Sequence, residues 1–128
     1  SNDNIIFYGY VEDKKEMRSL IQGSIGLVMC SLYDPAPKIV NESLAGSKPV
    51  LCRASVGFAG NLIEHKKSGY IYNPLDKNDI VSGYTWLEKN KENKNIKNFC
   101  KKKSEIWSPE QNAESVMKLF NEVIKEKK

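Results

Sequence analysis

Two carboxylates near the middle of the chain have a spacing that suits the binding of hydroxyl groups. Asp34 and Glu42 are separated by the seven residues PAPKIVN. Pro37 fits the first position of a helix, because neither its missing N–H nor its fixed φ is a disadvantage there. Asp34 then precedes the helix and Glu42 lies within it. Paired sugar hydroxyls donate well to a carboxylate, so these two residues are interpreted as hydroxyl acceptors.

The start of the same predicted helix is suited to an anion. The N–H groups of its first turn, at Lys38 and Ile39, have no partner inside the helix, and the helix dipole favours a negative charge beside them. An apolar run, Ile25 to Met29, precedes the loop, and another, Pro49 to Cys52, follows the helix. This order predicts a strand–loop–helix–strand unit. Open α/β sheets bind ligands at the carboxyl ends of their strands, so the loop predicts a site for a diphosphate.

These residues resemble the donor-binding domain of retaining glycosyltransferases with the GT-B fold, a group 1 or family 4-like assignment. The signature of that family is an acidic residue, seven residues and a glutamate, followed by a small-residue helix end and a Pro-Val strand. Here it stands as Asp34-PAPKIVN-Glu42 and then SLAGSKPV. The similarity continues through VGFAGNLI from Val56 and SGY from Ser68, and it covers most of residues 5–87. The resemblance implies an α/β fold, with a Rossmann-like parallel sheet and flanking helices.

The resemblance also implies a function. The enzyme would transfer a hexose-type sugar from a UDP- or GDP-sugar donor to a glycan, lipid or other acceptor, with retention at the anomeric carbon. Glu42 would hold the ribose hydroxyls and Asp34 would contact the donor sugar. Neither a metal nor another cofactor is implied. The implied donor-binding residues are Tyr8, Gly9, Val11, Pro37, Lys38, Ile39 and Gly57.

Several of these positions also have an ordinary structural interpretation. Tyr8, Gly9 and Val11 are implied to line the base pocket, but they fit the exit of a strand equally well. Gly57 is placed to approach a sugar or phosphate, or simply to form a turn. His65 is the only histidine and has no partner at ligand spacing, so we expect no metal site.

The sequence departs from the family pattern at three points. Asp34 stands where glutamate is usual, and its side chain is one methylene shorter. Ser47 stands where the helix end usually has glycine, so Gly46 is expected to take the left-handed cap. The upstream βα units, with a basic residue that clamps the diphosphate, have no counterpart, and neither does the acceptor-binding domain. We therefore expect a single donor-domain fragment over residues 1–128, truncated on its N-terminal side and inactive alone.

Periodicity and capping signals predict the remaining elements. The run from Ile25 to Met29 is expected to be buried on both faces, and the last helix is expected to pack its apolar stripe into the core. Residues from about 76 to 128 are predicted to form a helical tail. The other predicted elements are a strand over Ile5 to Tyr8, a helix from an Asp13 cap to Gln22 with a stop at Gly23, a short helix over Asn61 to Lys66, a strand over Gly69 to Tyr72, a helix capped by Asp76, a segment near Ile96 to Glu105, and a last helix that starts at Ser108-Pro109-Glu110.

Composition describes a globular chain of 128 residues, with 40% apolar residues and 28% charged residues. There is no apolar run of about 18 residues and no visible signal peptide. Three cysteines without metal spacing suit a reducing compartment, and Cys30 and Cys52 are expected to be buried thiols. A cytoplasmic location is therefore expected.

The net charge of +4 is spread among acidic residues. The densest basic run, Lys101 to Lys103, is interpreted as a solvated helix face. The alternative is a patch for an anionic partner, which leaves peripheral contact with the inner face of a membrane open. No nucleic-acid partner is expected.

Two other functional classes stay open from the sequence. The same fold can serve as a non-catalytic nucleotide-binding module, or as the partner module of an active transferase. A flavodoxin-like or receiver-like regulatory domain is the other class. A receiver needs clustered acids at a strand end to hold Mg²⁺, and Asp13 with Glu12 does not supply such a pair there.

Overall fold

The computed structural model describes residues 3–30, 38–55, 59, 61–106 and 109–126 of the chain. Within these residues, three strands form one parallel sheet with the order β1-β2-β3. The strands are β1 (Leu27–Met29), β2 (Val50–Arg53) and β3 (Gly69–Tyr72). The helices are α1 (Lys14–Gln22), α2 (Lys38–Ala45), α3 (Lys77–Lys89), α4 (Lys94–Ile106) and α5 (Pro109–Glu126). This arrangement confirms the predicted α/β class, a Rossmann-like parallel sheet with flanking helices.

Buried side chains form two clusters, one on each face of the sheet. Burial raises the pKa of the Cys52 thiol to about 11 and that of Cys100 to about 12, so both remain protonated parts of the core. Cys30 is exposed, so its predicted burial is wrong. The first cluster contains Val40, Leu44, Val50, Cys52, Leu62, Ile63, Ile96 and Cys100. The second contains Leu51, Tyr70, Tyr72 and Leu87.

The start and end of α1 follow the predicted signals. Asp13 is the N-cap, and its carboxylate accepts a hydrogen bond from the Lys15 N–H at 2.9 Å. Gly23 ends the helix and donates its N–H to the Ser19 carbonyl at 3.0 Å, and the Ser24 N–H donates to the Ile21 carbonyl at 3.1 Å. A Cβ built on Gly46 would lie only 3.2 Å from Ile21 Cγ2, so α1 and α2 approach closely at this glycine.

The end of α2 differs from the expected cap. Ser47, and not Gly46, has the left-handed conformation, with a φ of 62°. The Ser47 N–H donates to the Leu44 carbonyl at 2.9 Å, and the Lys48 N–H donates to the Ser43 carbonyl at 2.9 Å. This pair of bonds is the Schellman motif. The left-handed residue of this cap is therefore Ser47, at the position where the family resemblance implies a glycine.

Two expectations about apolar segments before β2 are wrong. Residues 5–8 form no strand, and Phe7 is 91% exposed. A strand needs a neighbour to pair its backbone groups, and none of the described strands lies beside this segment. In β1, Val28 is 45% exposed, so the strand is covered on one face only.

Turns replace the short helix predicted over Asn61 to Lys66. The Ser68 hydroxyl donates to the Leu62 carbonyl at 2.7 Å and accepts from the Glu64 N–H at 2.8 Å. A side-chain hydroxyl that bonds the local backbone in this way competes with helix formation. Leu62 and Ile63 are buried in these turns, with exposures of 1% and 0%.

The C-terminal part is helical as predicted, but its last helix is not packed as expected. Asp76 caps α3 by accepting from the Asn78 N–H at 3.0 Å. The apolar stripe of α5 is exposed, with Val116 at 65% and Phe120 at 62%. Periodicity identifies an apolar face but not what covers it, and no described element covers this one. The predicted start at Ser108 lies outside the described residues.

A hydrogen-bonded pair fastens α3 to the end of β3. The Tyr70 hydroxyl donates to Asp79 Oδ1 at 2.6 Å, and the Asn73 N–H donates to Asp79 Oδ2 at 2.7 Å. These two bonds, that of Tyr70 first, hold the pKa of the Asp79 carboxyl below its ordinary value. The bond to Asp79 is also the main cause of the raised pKa of Tyr70.

The cap geometry predicts that Ser47→Gly stabilises the protein. Glycine adopts the left-handed conformation without the strain that a Cβ brings, so we expect a gain of about 0.5–1 kcal/mol in the free energy of unfolding. Thermal melts measure it. Ser82→Gly, in the exposed interior of α3, is the matched control and should lower Tm because glycine weakens a helix interior. A loss of stability in Ser47→Gly would contradict the assigned cap.

The Asp79 contacts predict a pH effect on stability. Because the folded-state pKa lies below the unfolded value, Asp79 adds stability that is complete above the unfolded pKa of about 3.9 and is lost as the pH falls through the folded pKa. Asp79→Asn should therefore flatten the decline of Tm between about pH 5 and 2. Asp3→Asn, at an exposed site, should leave the decline unchanged. Equal pH profiles for the wild type and Asp79→Asn would refute the linkage.

Candidate functional site

A groove with a volume of about 550 Å³ lies between α1 and α2. Apolar and charged side chains share its lining. Met17, Ile21 and Ala45 supply apolar surface, while Arg18 and Glu42 supply opposite charges. Glu12, Asp13, Lys14 and Gln22 add further polar groups, so the lining suits a ligand that has both apolar and polar parts.

The groove brings together two of the predicted site residues. Val11 and Glu42 both line it, although they come from different elements. Tyr8 and Gly9 do not line it. Tyr8 is 56% exposed, and Gly9 has a φ of 69° with open space where a Cβ would stand. Of the residues proposed for the base pocket, only Val11 therefore lines the same groove as Glu42.

The N-terminal turn of α2 lies at the carboxyl edge of the sheet. Lys38 and Ile39 form that turn, which contains no acidic residue. The helix follows β1, so it starts from the carboxyl edge of the sheet. From Lys38 to Glu42 the helix rises by about 6 Å, a span that a ribose with its attached phosphate can bridge. Asp34, Pro37 and Gly57 lie outside the described residues, and their roles stay predictions.

The Glu42 carboxylate has access to a ligand. The residue is exposed, and none of the ion pairs found among the described residues uses it. A carboxylate that is not neutralised by a neighbouring cation can accept hydrogen bonds from two hydroxyl groups. Glu42 is therefore available as the hydroxyl acceptor that its sequence position suggested.

Comparison with known proteins gives this site its context. The family model described as glycosyl transferases group 1 matches residues 1–107. The chain belongs to the group 1 glycosyl transferases. The matched part of this glycosyl transferase contains the whole sheet and α1 to α4, and it stops before α5. Membership gives the protein a role in glycosyl transfer and, in general terms, a nucleotide-sugar donor. No individual curated protein matches the chain.

Sequence reasoning missed part of the groove in this glycosyl transferase. Met17 and Ile21 have the helical spacing of a packing face, yet both are half-buried and line the groove. Arg18 and Gln22 also line it, and neither was singled out. The helical spacing of Met17 and Ile21 identified the correct face of α1. It gave no sign that this face is shared between packing and an open groove.

None of the described helices is both long and apolar enough to cross a bilayer. No three acidic, histidine or cysteine side chains in the described ranges come together as a metal site would require. His65 instead uses Nδ1 to accept the Ile71 N–H at 3.0 Å, which gives this side chain a structural role.

The groove predicts that a large side chain at Ala45 blocks nucleotide binding. Ala45 is exposed and lines the groove, so the indole of Ala45→Trp has space there and should occupy the ligand volume. We expect the affinity for UDP or GDP to fall at least about tenfold, with little change in Tm. Calorimetric titration measures this effect. Ala113→Trp on exposed α5 is the matched control, and equal affinities for the two variants would exclude the groove.

Proposed function

We propose that this domain binds a nucleotide-diphosphate sugar along the groove between α1 and α2 and at the start of α2. One observation carries the proposal: Val11 and Glu42 line a single groove on the helix whose N-terminal turn starts at the carboxyl edge of the sheet. A nucleoside in this groove would have its diphosphate directed towards the N–H groups of Lys38 and Ile39. The domain would then serve as the donor-binding half of a retaining, GT-B-type hexosyltransferase.

The residue roles follow from the chemistry of the donor. Glu42 accepts hydrogen bonds from the ribose hydroxyls, because charged acceptors bind hydroxyl pairs strongly. The N–H groups at Lys38 and Ile39 receive the diphosphate, with help from the helix dipole and from Pro37 at the preceding position. Asp34 contacts the donor sugar.

Catalysis in this proposal depends on the leaving group. The bond between the sugar and the diphosphate breaks more easily when the charge that develops on the diphosphate is stabilised by fixed donors. The start of α2 supplies such donors, and Gly57 is assigned to the same ligand region. The proposal uses neither a metal nor another cofactor.

The base is assigned to the end of the groove that Val11 lines. Met17 and Ile21 offer apolar surface for one face of a base, and Arg18 lies beside them in the lining. Tyr8 and Gly9 precede this region in the chain and would contribute backbone contacts. The nucleotide is assigned to the UDP or GDP class.

The acceptor site is assigned to a further domain. Exposed apolar side chains support this assignment, since Phe7 is 91% and Val28 is 45% exposed, and exposed apolar surface is typical of a contact with another domain. The domain alone would bind the donor without transferring the sugar. The acceptor is assigned to the glycan or lipid class, as in polysaccharide biosynthesis.

A cytoplasmic location, with contact at the inner face of the membrane, is part of the same proposal. Lys101 and Lys102 are exposed and available to anionic headgroups. Lys103 is less available, because its ammonium lies 3.0 Å from Glu64 Oε2 and 3.4 Å from the Asn61 carbonyl.

The central role of Glu42 predicts that Glu42→Gln weakens nucleotide binding about 10- to 100-fold, because hydrogen bonds to a charged group are worth about 1.5–3 kcal/mol. Calorimetric titration of the chain with UDP and GDP measures the change. Wild type should bind the 2′-deoxy nucleotides more weakly than UDP and GDP. Glu42→Gln should bind the deoxy and the parent nucleotides with equal affinity.

Glu16→Gln, on the exposed face of α1, is the control and should bind like wild type. Unchanged affinity in Glu42→Gln would sink the assignment of the ribose site. Donor binding by the complete enzyme without any sugar transfer would instead favour a non-catalytic binding module.

A further inference from the structure

Three side chains form a row across the carboxyl ends of the strands. Cys30 follows β1, Arg53 ends β2 and Tyr72 ends β3. The register pairs Arg53 directly with Tyr72, and the pairing of β1 with β2 places Cys30 on the other side of Arg53. Because side chains alternate along a strand, Arg53 and Tyr72 share the face of Leu51, which α3 covers. Neighbouring strands are about 4.8 Å apart, so the three groups are immediate neighbours.

Arg53 has an unused hydrogen-bond donor in this row. Among the residues that the structure describes, its Nε–H is buried without a hydrogen-bond partner, and none of the ion pairs found there involves Arg53. A guanidinium stays charged in proteins, and a buried donor without a partner is unfavourable. The Nε–H and a neighbouring Nη–H form a planar fork that fits two oxygens of a phosphate or carboxylate. An oxyanion with two oxygens is the kind of partner that fits this side chain.

Tyr72 completes the row as a second donor. Burial is the main cause of the raised pKa of its phenol, and the nearby Cys30 adds to it, whereas Arg53 acts in the opposite direction. The phenol therefore stays protonated at neutral pH and presents an O–H group. A row with a guanidinium and a phenol suits an anion and does not suit a metal cation.

We propose that Arg53, with Tyr72 beside it, binds an anionic group of the ligand at the carboxyl edge of the sheet. The proposal rests on the proposed donor-binding function and extends it to a second element, because α2 starts from the same edge. The oxyanion is a phosphate of the nucleotide donor or the carboxylate of an acidic donor sugar. Both place two oxygens on the guanidinium fork.

The first test is a calorimetric titration of the full chain and of Arg53→Gln with UDP, GDP, inorganic pyrophosphate, UDP-glucose and UDP-glucuronate. Arg53→Gln should lower the affinity at least about tenfold for each ligand whose anion sits on the fork. Loss for pyrophosphate and both nucleotides identifies the diphosphate as the anion. Loss for UDP-glucuronate alone identifies the sugar carboxylate.

Two matched variants separate the anion contact from general charge. Arg53→Lys keeps the charge but loses the fork, so its affinity should lie between those of wild type and Arg53→Gln. Lys102→Gln removes an exposed cation from α4 and should bind every ligand like wild type. If Arg53→Gln binds all five ligands like wild type, or if wild type binds none of them, the inference is overturned.

Stability gives a readout that distinguishes ligand binding from a structural role. Since the buried Nε–H has no partner, Arg53→Gln should melt at or above the wild-type Tm. A lower Tm with unchanged anion affinity would make Arg53 a structural residue. Arg53-dependent binding of pyrophosphate, combined with nucleotide binding that is insensitive to Glu42→Gln, would uphold this site and refute the proposed nucleoside site.

Discussion

Close backbone contact around β2 is the constraint on which the rest of this structure depends. A Cβ on Gly69 would collide with the Val50 carbonyl, and one on Gly26 would lie 2.8 Å from the Pro49 carbonyl. The absence of side chains at these positions lets both neighbours reach β2. The Leu27 N–H then donates to the Pro49 carbonyl at 3.0 Å. A larger residue at either glycine would separate the strands or shift their register.

The register decides where chemistry can occur. With all three strands parallel and aligned, their carboxyl ends form one edge, and Arg53 and Tyr72 end there side by side. β1 ends and α2 begins at the same edge. The Schellman motif at Ser47 fixes the other end of α2, so the chain enters β2 within a few residues. The position of Glu42 beside α1 is thus a consequence of how β1, α2 and β2 are connected.

Local signals in the sequence predicted much of this framework. Asp13 and Asp76 act as caps because their carboxylates reach the free N–H groups of the next turn, an interaction that neighbouring residues alone determine. The strand at Gly69–Tyr72 and the strands on either side of α2 were also predicted from local sequence, namely from short apolar runs. The family signature added the glycosyl transferase assignment, which the family match confirms.

Features that depend on distant residues were not predictable in this way. Residues 5–8 have the composition of a strand, but a strand also needs a partner, and composition does not supply one. The stripe on α5 has helical spacing whether or not another surface covers it. Ser47 adopts a positive φ because the Schellman bonds require it, although serine disfavours this conformation and the adjacent Gly46 would adopt it more easily. The groove and the row at Arg53 exist only after folding has brought separate elements together.

The central claim is that the donor nucleotide lies in the groove between α1 and α2 and extends to the start of α2, and amide NMR tests it most directly. The chain is titrated with UDP and with GDP, and shifts are mapped onto the assigned backbone. The account predicts that the largest shifts fall at Val11 to Lys14 and at Lys38 to Glu42. Shifts concentrated at the opposite edge of the sheet, around Lys66 and Trp86, or no shifts from a folded sample, would contradict it.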